Sequence, residues 1–325
     1  MALKDIFREV AIQRSEKQPD LVDYVLEEAP ILGMMPMQPT TSGLSHQYEV
    51  LMDADAASFV DLDQELPSIN AETRVENTKV GLLGGEIEVG EDKINELGIS
   101  AADYFARKMP HILKHTGART EQAMLYNFLR ARAIQAYNDS ELTHKSEHLM
   151  SAGGNSGTNY SIIFVKWEMD NMYGLYNPSG FGNGMLFDMQ AINGGSLYHT
   201  KASASKVLGY GLRIKSHFGL LAGNPRNVAV IANIDISDAV DTNWDLPTAY
   251  QMDDAVAAIR GAMGGNTMML MHPKVKTALG KYKTEKIELT TADQNLRFTV
   301  DAWNGIPMLS SYNFKKGDEP NVTVS

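Results

Sequence analysis

Cysteine is absent from this sequence, which excludes disulfides and thiolate metal ligands and suits a reducing cytosol. No apolar run approaches the roughly 18–20 residues that cross a bilayer as a helix, so no membrane partner of that kind is expected. The first residues, Met1-Ala2-Leu3-Lys4-Asp5-Ile6, lack the basic-then-apolar layout of a secretory signal. Basic residues are the scarcer charges, 29 Lys and Arg against 40 Asp and Glu, for a net charge of −11. A dedicated nucleic-acid binder needs clustered Lys and Arg to neutralise phosphates, and this balance argues against one. What remains is ordinary for a folded chain, with 43% hydrophobic and 21% charged residues among 325. That length makes one large domain or two ordinary ones. Methionine stands out, at 18 against 10 Phe. Met fills irregular cores and also adapts at surfaces that repack, and composition leaves both readings open.

Catalytic motifs are also missing. No glycine-rich stretch ends in Gly-Lys-Ser/Thr, so there is no phosphate loop, and Gly81-Leu82-Leu83-Gly84-Gly85 reads as a flexible join before a strand. Gly209-Tyr210-Gly211 begins a dinucleotide fingerprint, but Ile214 stands where the third glycine belongs and a strand follows where a helix should. No nucleophile elbow occurs around Ser156, because Thr158 replaces its second glycine. Asp53-Ala54-Asp55 starts like a calcium loop, yet Ser58 replaces its glycine and Gln64 its final glutamate. His111 and His115 sit four apart on a predicted helix and share a face. A zinc hydrolase would need Glu beside the first, and Ile112 is there. His144 and His148 repeat the spacing in a polar loop beside Glu147. Neither pair reads as a metal site, and His111 and His115, next to Lys114 and Arg119, read as the extension of a basic face. No catalytic residue, cofactor or metal is expected, and a metal hydrolase built on His111 and His115 is the alternative in the enzyme class.

Charge is unevenly distributed. From Asp53 to Glu76 seven acids (Asp53, Asp55, Asp61, Asp63, Glu65, Glu72, Glu76) face Arg74 alone. From Ala101 to Ala133 six bases (Arg107, Lys108, Lys114, Arg119, Arg130, Arg132) face Asp103 and Glu121. These are either two solvated faces or complementary surfaces on neighbouring subunits.

The pattern of elements is α+β, because helices and strands mix without regular alternation. Residues 1–35 read as an arm whose short helix, capped by Asp20, runs through Glu28 and ends at Pro30; 33–39 then look extended. Residues 44–90 read as β, with Glu86-Ile87-Glu88-Val89 alternating at period two and Asp53–Asn77 projecting as a long polar loop or hairpin. Ser100 caps a helix that runs to Tyr137, with Phe105, Met109, Ile112, Met124, Phe128 and Leu129 as its apolar positions. Pro110 and Gly117 predict a kink or break in it. Further strands are expected at Tyr160–Trp167, Val207–Ile214, Val228–Ile231 and Thr267–Met271, with helices over Asp235–Met263 and Pro273–Tyr282.

Several stretches, taken in order, resemble phage major capsid proteins of the Hong Kong 97-type fold, in particular the podovirus-type family labelled by its seventh gene product. These are Ser161-Ile162-Ile163-Phe164-Val165-Lys166-Trp167, Tyr173-Gly174-Leu175-Tyr176-Asn177-Pro178, Gly219-Leu220, Asn224-Pro225-Arg226 and Ile231-Ala232-Asn233-Ile234-Asp235. The family's strand ends near Trp before a Gly-hydrophobic-Tyr-Pro turn, which Asn177 interrupts here, and Val230 stands where the family has Arg. Gly85–Val89 before a long helix ending in Tyr137-Asn138-Asp139 matches the family's order, as do Met268–Met271, Pro273–Leu279 and Gly305-Ile306-Pro307-Met308.

The resemblance implies a head protein that assembles into pentamers and hexamers of an icosahedral shell around double-stranded DNA. It implies an N-terminal arm at 1–40, an extended E-loop at 41–90 and a peripheral domain at 91–225 with its spine helix at 100–137. An axial domain at 226–305 follows, and 306–325 is free to return to the peripheral domain. Expected partners are other copies of the chain, scaffolding, portal and decoration proteins, and packaged DNA in non-specific contact. The expected location is the virion, assembled in the bacterial cytoplasm. Because the sequence starts at Met1, no large cleaved scaffold segment is expected, and no Lys, Asn and carboxylate here can be matched to the crosslinking residues of part of this fold class. An encapsulin-like compartment subunit is the alternative with the same fold. Charge adds an interface expectation: Asp53, Asp55, Asp61, Asp63 and Glu65 on the loop of one subunit against Arg107, Lys108, Lys114 and Arg119 of the next.

Overall fold

A seven-stranded mixed sheet, with its central strands buried on both faces, sets the plan of the chain. The computed structural model describes residues 29–61, 65–138, 145–155, 158–177, 188–200, 207–236, 244–259, 266–280, 287–291, 299–315, 317 and 319–324. At the centre of this sheet are β6 (Asn159–Trp167), β11 (Val228–Asp235) and β12 (Asn266–Met271). It is completed by β5 (Leu149–Ser151) on one side and by β15 (Ile306–Ser310), β14 (Thr299–Trp303) and β13 (Ile287–Thr291) on the other. Central strands with both faces covered read as unbroken apolar runs, as β6 does. Ile163, Val165, Val230 and Leu270 point to one core with Met124, Leu125, Leu129 and Ala133 of the long helix. Ile162, Phe164, Ile231 and Met269 point to the other with Met252, Val256 and Val275. Those last three lie on α5 (Ala249–Ala258) and α6 (Pro273–Leu279).

A second sheet pairs β1 (Met37–Pro39), β7 (Met172–Tyr176), β10 (Leu208–Ala222) and β4 (Gly81–Gly90), with β8 (Asp188–Ala191) and β9 (Tyr198–His199) also on β10. Gly81–Gly85 is therefore strand and not a flexible join: β4 pairs with β10 from Gly81↔Phe218 to Gly90↔Gly209. Close backbone approach is what the glycines permit. A Cβ on Gly209 would lie 2.2 Å from the Val89 carbonyl oxygen.

The long helix runs as α3 (Ala101–Ala123), a π segment (Met124–Arg130) and α4 (Ala131–Asn138). Ser100 caps it by accepting from the Asp103 amide. The expected break at Pro110 and Gly117 does not occur, since α3 continues through both. Phe105, Met109 and Leu113 pack against Val89, Ile94, Leu212 and Ile214 across that region, which outweighs one missing donor. The irregularity comes later and has its own cause. Buried positions recur every four residues at 101, 105, 109, 113, 117, 121, 125, 129 and 133, and each such step overshoots a turn by about 40°. A π segment holds more residues per turn and takes back part of that drift. Phe128, expected on the apolar face, is 37% exposed.

Two other expectations need correction. Pro30 begins the one-turn helix α1 (Pro30–Met34), so the stretch expected to be extended from Gly33 starts as helix, because proline suits the first helical position, where its missing N–H would go unbonded anyway; the helix expected from Asp20 to Glu28 lies outside the described residues. The helix expected from Asp235 starts only at Ala249, where Thr248 and Gln251 form a capping box. Asp235 itself ends β11 and bridges to Asp245. A short helix α2 (Glu91–Leu97) joins β4 to the long helix.

Candidate assembly surfaces

The hairpin of β2 (Ser45–Ala54) and β3 (Ala71–Lys79) is a sheet of its own, paired from Ser45↔Lys79 to Ala54↔Ala71. Its root is fixed to the body. His46 is buried, with Nε2 2.9 Å from the Tyr173 hydroxyl, and burial holds its imidazole below the usual histidine range. The Tyr48 hydroxyl donates to Glu76 Oε2 at 2.9 Å, while its ring packs on Val80, Tyr173, Leu175 and Leu221. Beyond the root nothing covers it within the described residues. Leu51 (59%), Phe59 (109%), Leu66 (76%), Ile69 (54%) and Val75 (60%) are open to water. A lone two-stranded hairpin is marginal in water. Of the expected interface acids, Asp61 and Glu65 are exposed. Exposed Asp55 also holds its own hairpin, accepting from the Asn70 amide at 3.1 Å. The Asp53 side chain and Asp63 lie outside the described residues. The exposed apolar residues were missed in the sequence, although they stand among the acids there.

On α3, Lys108, His111, His115 and Arg119 are exposed and follow one another at helical spacing, so they form one stripe. Lys114 is half-buried, and the Arg107 side chain is outside the described residues. Among the described residues, Asp55, Asp61 and Glu65 thus lie on the hairpin and Lys108, Lys114 and Arg119 on α3. His144 is not among the described residues, and His148 is buried with Nδ1 2.9 Å from the Val228 carbonyl oxygen. Among the described residues no group of three or more His, Asp and Glu is placed to hold a metal ion.

The helix end that carries the π segment gathers both ends of the described chain. Glu121 is fully buried. One of its oxygens accepts from the amides of Ile31 at 2.9 Å and Leu32 at 3.4 Å. The other accepts from Ser311 Oγ and from Asn313 Nδ2 at 2.9 Å. Burial raises its carboxyl above the usual range despite these donors. A turn further on, Tyr126 donates to Glu319 at 2.6 Å, and Arg130 lies 3.3 Å from the other Glu319 oxygen. Arg130 also donates to the Pro320 carbonyl at 3.0 Å. Burial raises Glu319 too, and raises the Tyr126 hydroxyl.

An α+β chain with a long half-buried helix, a projecting hairpin and both ends of its described residues held at that helix is a recognisable plan, and comparison with known proteins decides whose it is. The sequence model of the family described as Major capsid protein GP7 matches residues 13–315. This chain belongs to that family. The first of three solved structures places this chain in the Hong Kong 97-like fold. Bacteriophage Epsilon15 aligns at a TM-score of 0.52 with 16% identity, covering 87% of this chain and 87% of that one. The capsid of bacteriophage JBD30 aligns at 0.47 with 9% identity over 86% and 88%. The SrpI encapsulin of Synechococcus elongatus PCC 7942 aligns at 0.45 with 10% identity over 65% and 89%. No curated protein matches. As a major capsid protein the chain is a component of the phage virion, built into an icosahedral shell from many copies of itself.

Proposed function

We propose that this capsid protein closes into pentamers and hexamers that tile a shell around double-stranded DNA, acting as a structural subunit and not as an enzyme. Residues 1–40 serve as the arm, 41–90 as the E-loop, 91–225 as the peripheral domain and 226–305 as the axial domain. The seven-stranded sheet joins the last two. Assembly takes place in the host cytoplasm with scaffolding, portal and decoration proteins as further partners, and it needs no metal, so EDTA leaves shells intact.

In this reading the hairpin lies across the α3 stripe of the neighbouring subunit. The observation that supports it most is the hairpin itself, which past its root is exposed on both faces and carries acids and large apolar residues together. Asp53, Asp55, Asp61, Asp63 and Glu65 then meet Arg107, Lys108, Lys114 and Arg119. A single exposed pair is worth only ~0–1 kcal/mol, but repetition around a ring sets register and rejects wrong contacts. Neutralising Asp61, Asp63 and Glu65 together is expected to weaken shell assembly and its resistance to salt. Lys114→Glu and Arg119→Glu fail alone and are partly rescued by Asp→Lys changes on the hairpin. The reading is wrong if the triple change leaves empty-shell assembly intact at every salt concentration while the helix variants lose DNA.

A further inference from the structure

Glu121 stands where three parts of the chain meet: the long helix, α1 ninety residues before it and the segment after β15 some 190 residues beyond. Its two oxygens are divided between the chain ends. Oε2 serves the Ile31 and Leu32 amides, and Oε1 serves Ser311 and Asn313. All four donors are neutral. The Gln122 side chain holds the same C-terminal loop by donating to the Asn313 carbonyl at 3.2 Å, and Asn313 in turn takes its amide bond to Ser311 Oγ at 3.1 Å.

A carboxylate taken wholly out of water needs donors on both oxygens to replace its hydration. Donors on one oxygen alone leave the other bare in the core, and the side chain then gains by turning out towards water. Neither chain end supplies both sets. From this division we infer that Glu121 makes the docking of α1 and the docking of residues 311–313 cooperative: each end is held firmly only while the other is in place. The consequence is a coupled release, in which freeing the C-terminal segment loosens the attachment of the N-terminal one without touching it.

Coupling of this kind is a free energy between two sites, and a double-mutant comparison reads it. The experiment is hydrogen exchange on the full-length protein, followed in a peptide spanning 29–35, with peptides over β6 as the folding control. The change Ser311→Ala with Asn313→Ala removes the donors on Oε1 and leaves Phe314 in the core. It is expected to lower protection of the Ile31 and Leu32 amides by roughly fivefold or more while β6 stays protected. In a Glu121→Leu background, where there is no charge to satisfy, the same pair of changes is expected to add nothing at 31–32. The inference fails if the double change loosens only the segment around 308–315. It also fails if the loss at 31–32 is the same in both backgrounds, because coupling would then run through the shared apolar core. Should Glu121→Leu not fold, Glu121→Met takes its place as the uncharged background and the same outcomes decide.

Discussion

Removing Glu319 is expected to cost far more than removing any acid on the surface. Its side chain is 1% exposed and that of its partner Arg130 is 6% exposed. Glu319→Ala leaves a guanidinium in the core with the Pro320 carbonyl and the face of Tyr126, 5.9 Å away, as what remains. Breaking one partner of a buried pair costs about 3–5 kcal/mol, and the lost Tyr126 bond adds about 1 kcal/mol. The contacts that Arg130 keeps pull the total towards the lower end, about 4 kcal/mol, or roughly a thousandfold in the folding equilibrium. An internal control sits on the second sheet, where Arg213 and Glu86 pair at 2.7 Å with side chains 40% and 25% exposed. Glu86→Ala there is expected to cost only about 0–1 kcal/mol. The assay is urea unfolding of each variant at one protein concentration, since assembly shifts apparent stability by mass action. Glu319→Leu with Arg130→Met replaces the pair by packing and should recover most of the loss. Two results would refute the reasoning: a Glu319→Ala midpoint no lower than that of Glu86→Ala, or a double variant as weak as the single one.

Burial raises Glu121 above its ordinary value of 4.5, so its contribution is fully present below that pH and is lost as pH rises through the folded value. Wild-type stability is therefore expected to decline above about pH 4.5 more steeply than that of Glu121→Gln, as read from unfolding midpoints across pH. Gly209→Ala forces a Cβ to 2.2 Å from the Val89 oxygen, and hydrogen exchange should report a loosened β4–β10 pair. Asn233, at φ 58°, accepts from the Val322 amide at 2.9 Å and donates to its carbonyl at 2.7 Å. Asn233→Ala should cost about 2–3 kcal/mol in thermal unfolding, and Asn233→Gly about 1 kcal/mol less, because glycine accepts that backbone.

The strands through the centre were legible because burial on both faces leaves an unbroken apolar run, as in Ile162–Val165 and Val228–Ile231. The cap at Ser100 was legible because capping is local. The break expected at Pro110 misled for the opposite reason. Its rules are local too, but packing along Phe105, Met109 and Leu113 decided the outcome at Pro110. The π segment left a trace in the four-residue spacing of buried positions, which a search for 3.6 periodicity overlooks. Glu121 was counted as one of two acids on a basic helix. Nothing next to it in sequence marks it as buried, since the segments that bury it lie 90 and 190 residues away. The hairpin was legible as a projection from its polarity, and that same polarity drew attention from Phe59, Leu66 and Ile69.

Those apolar residues bear on what holds the hairpin if it docks. Each exposed ion pair contributes ~0–1 kcal/mol, whereas fully burying a Leu or Phe side chain is worth about 1.5–3 kcal/mol. Leu51, Phe59, Leu66, Ile69 and Val75 are all more than half exposed, so covering two of them, about 3–6 kcal/mol, matches or exceeds five loop acids at about 0–5 kcal/mol together. On this reckoning the acids choose the register and the apolar side chains supply the affinity. The two contributions separate in salt, because at 1 M the screening length is only about 3 Å while apolar burial is not screened. Phe59→Ser with Leu66→Ser is therefore expected to lower the assembled fraction at both low and high salt, and by more than Asp61→Asn with Glu65→Gln does. The charge variant should lose its effect in 1 M salt. Assembly measured by light scattering across salt concentrations tests this. If the apolar variant assembles like wild type while the charge variant does not, electrostatics carries the contact and the assignment of roles is wrong.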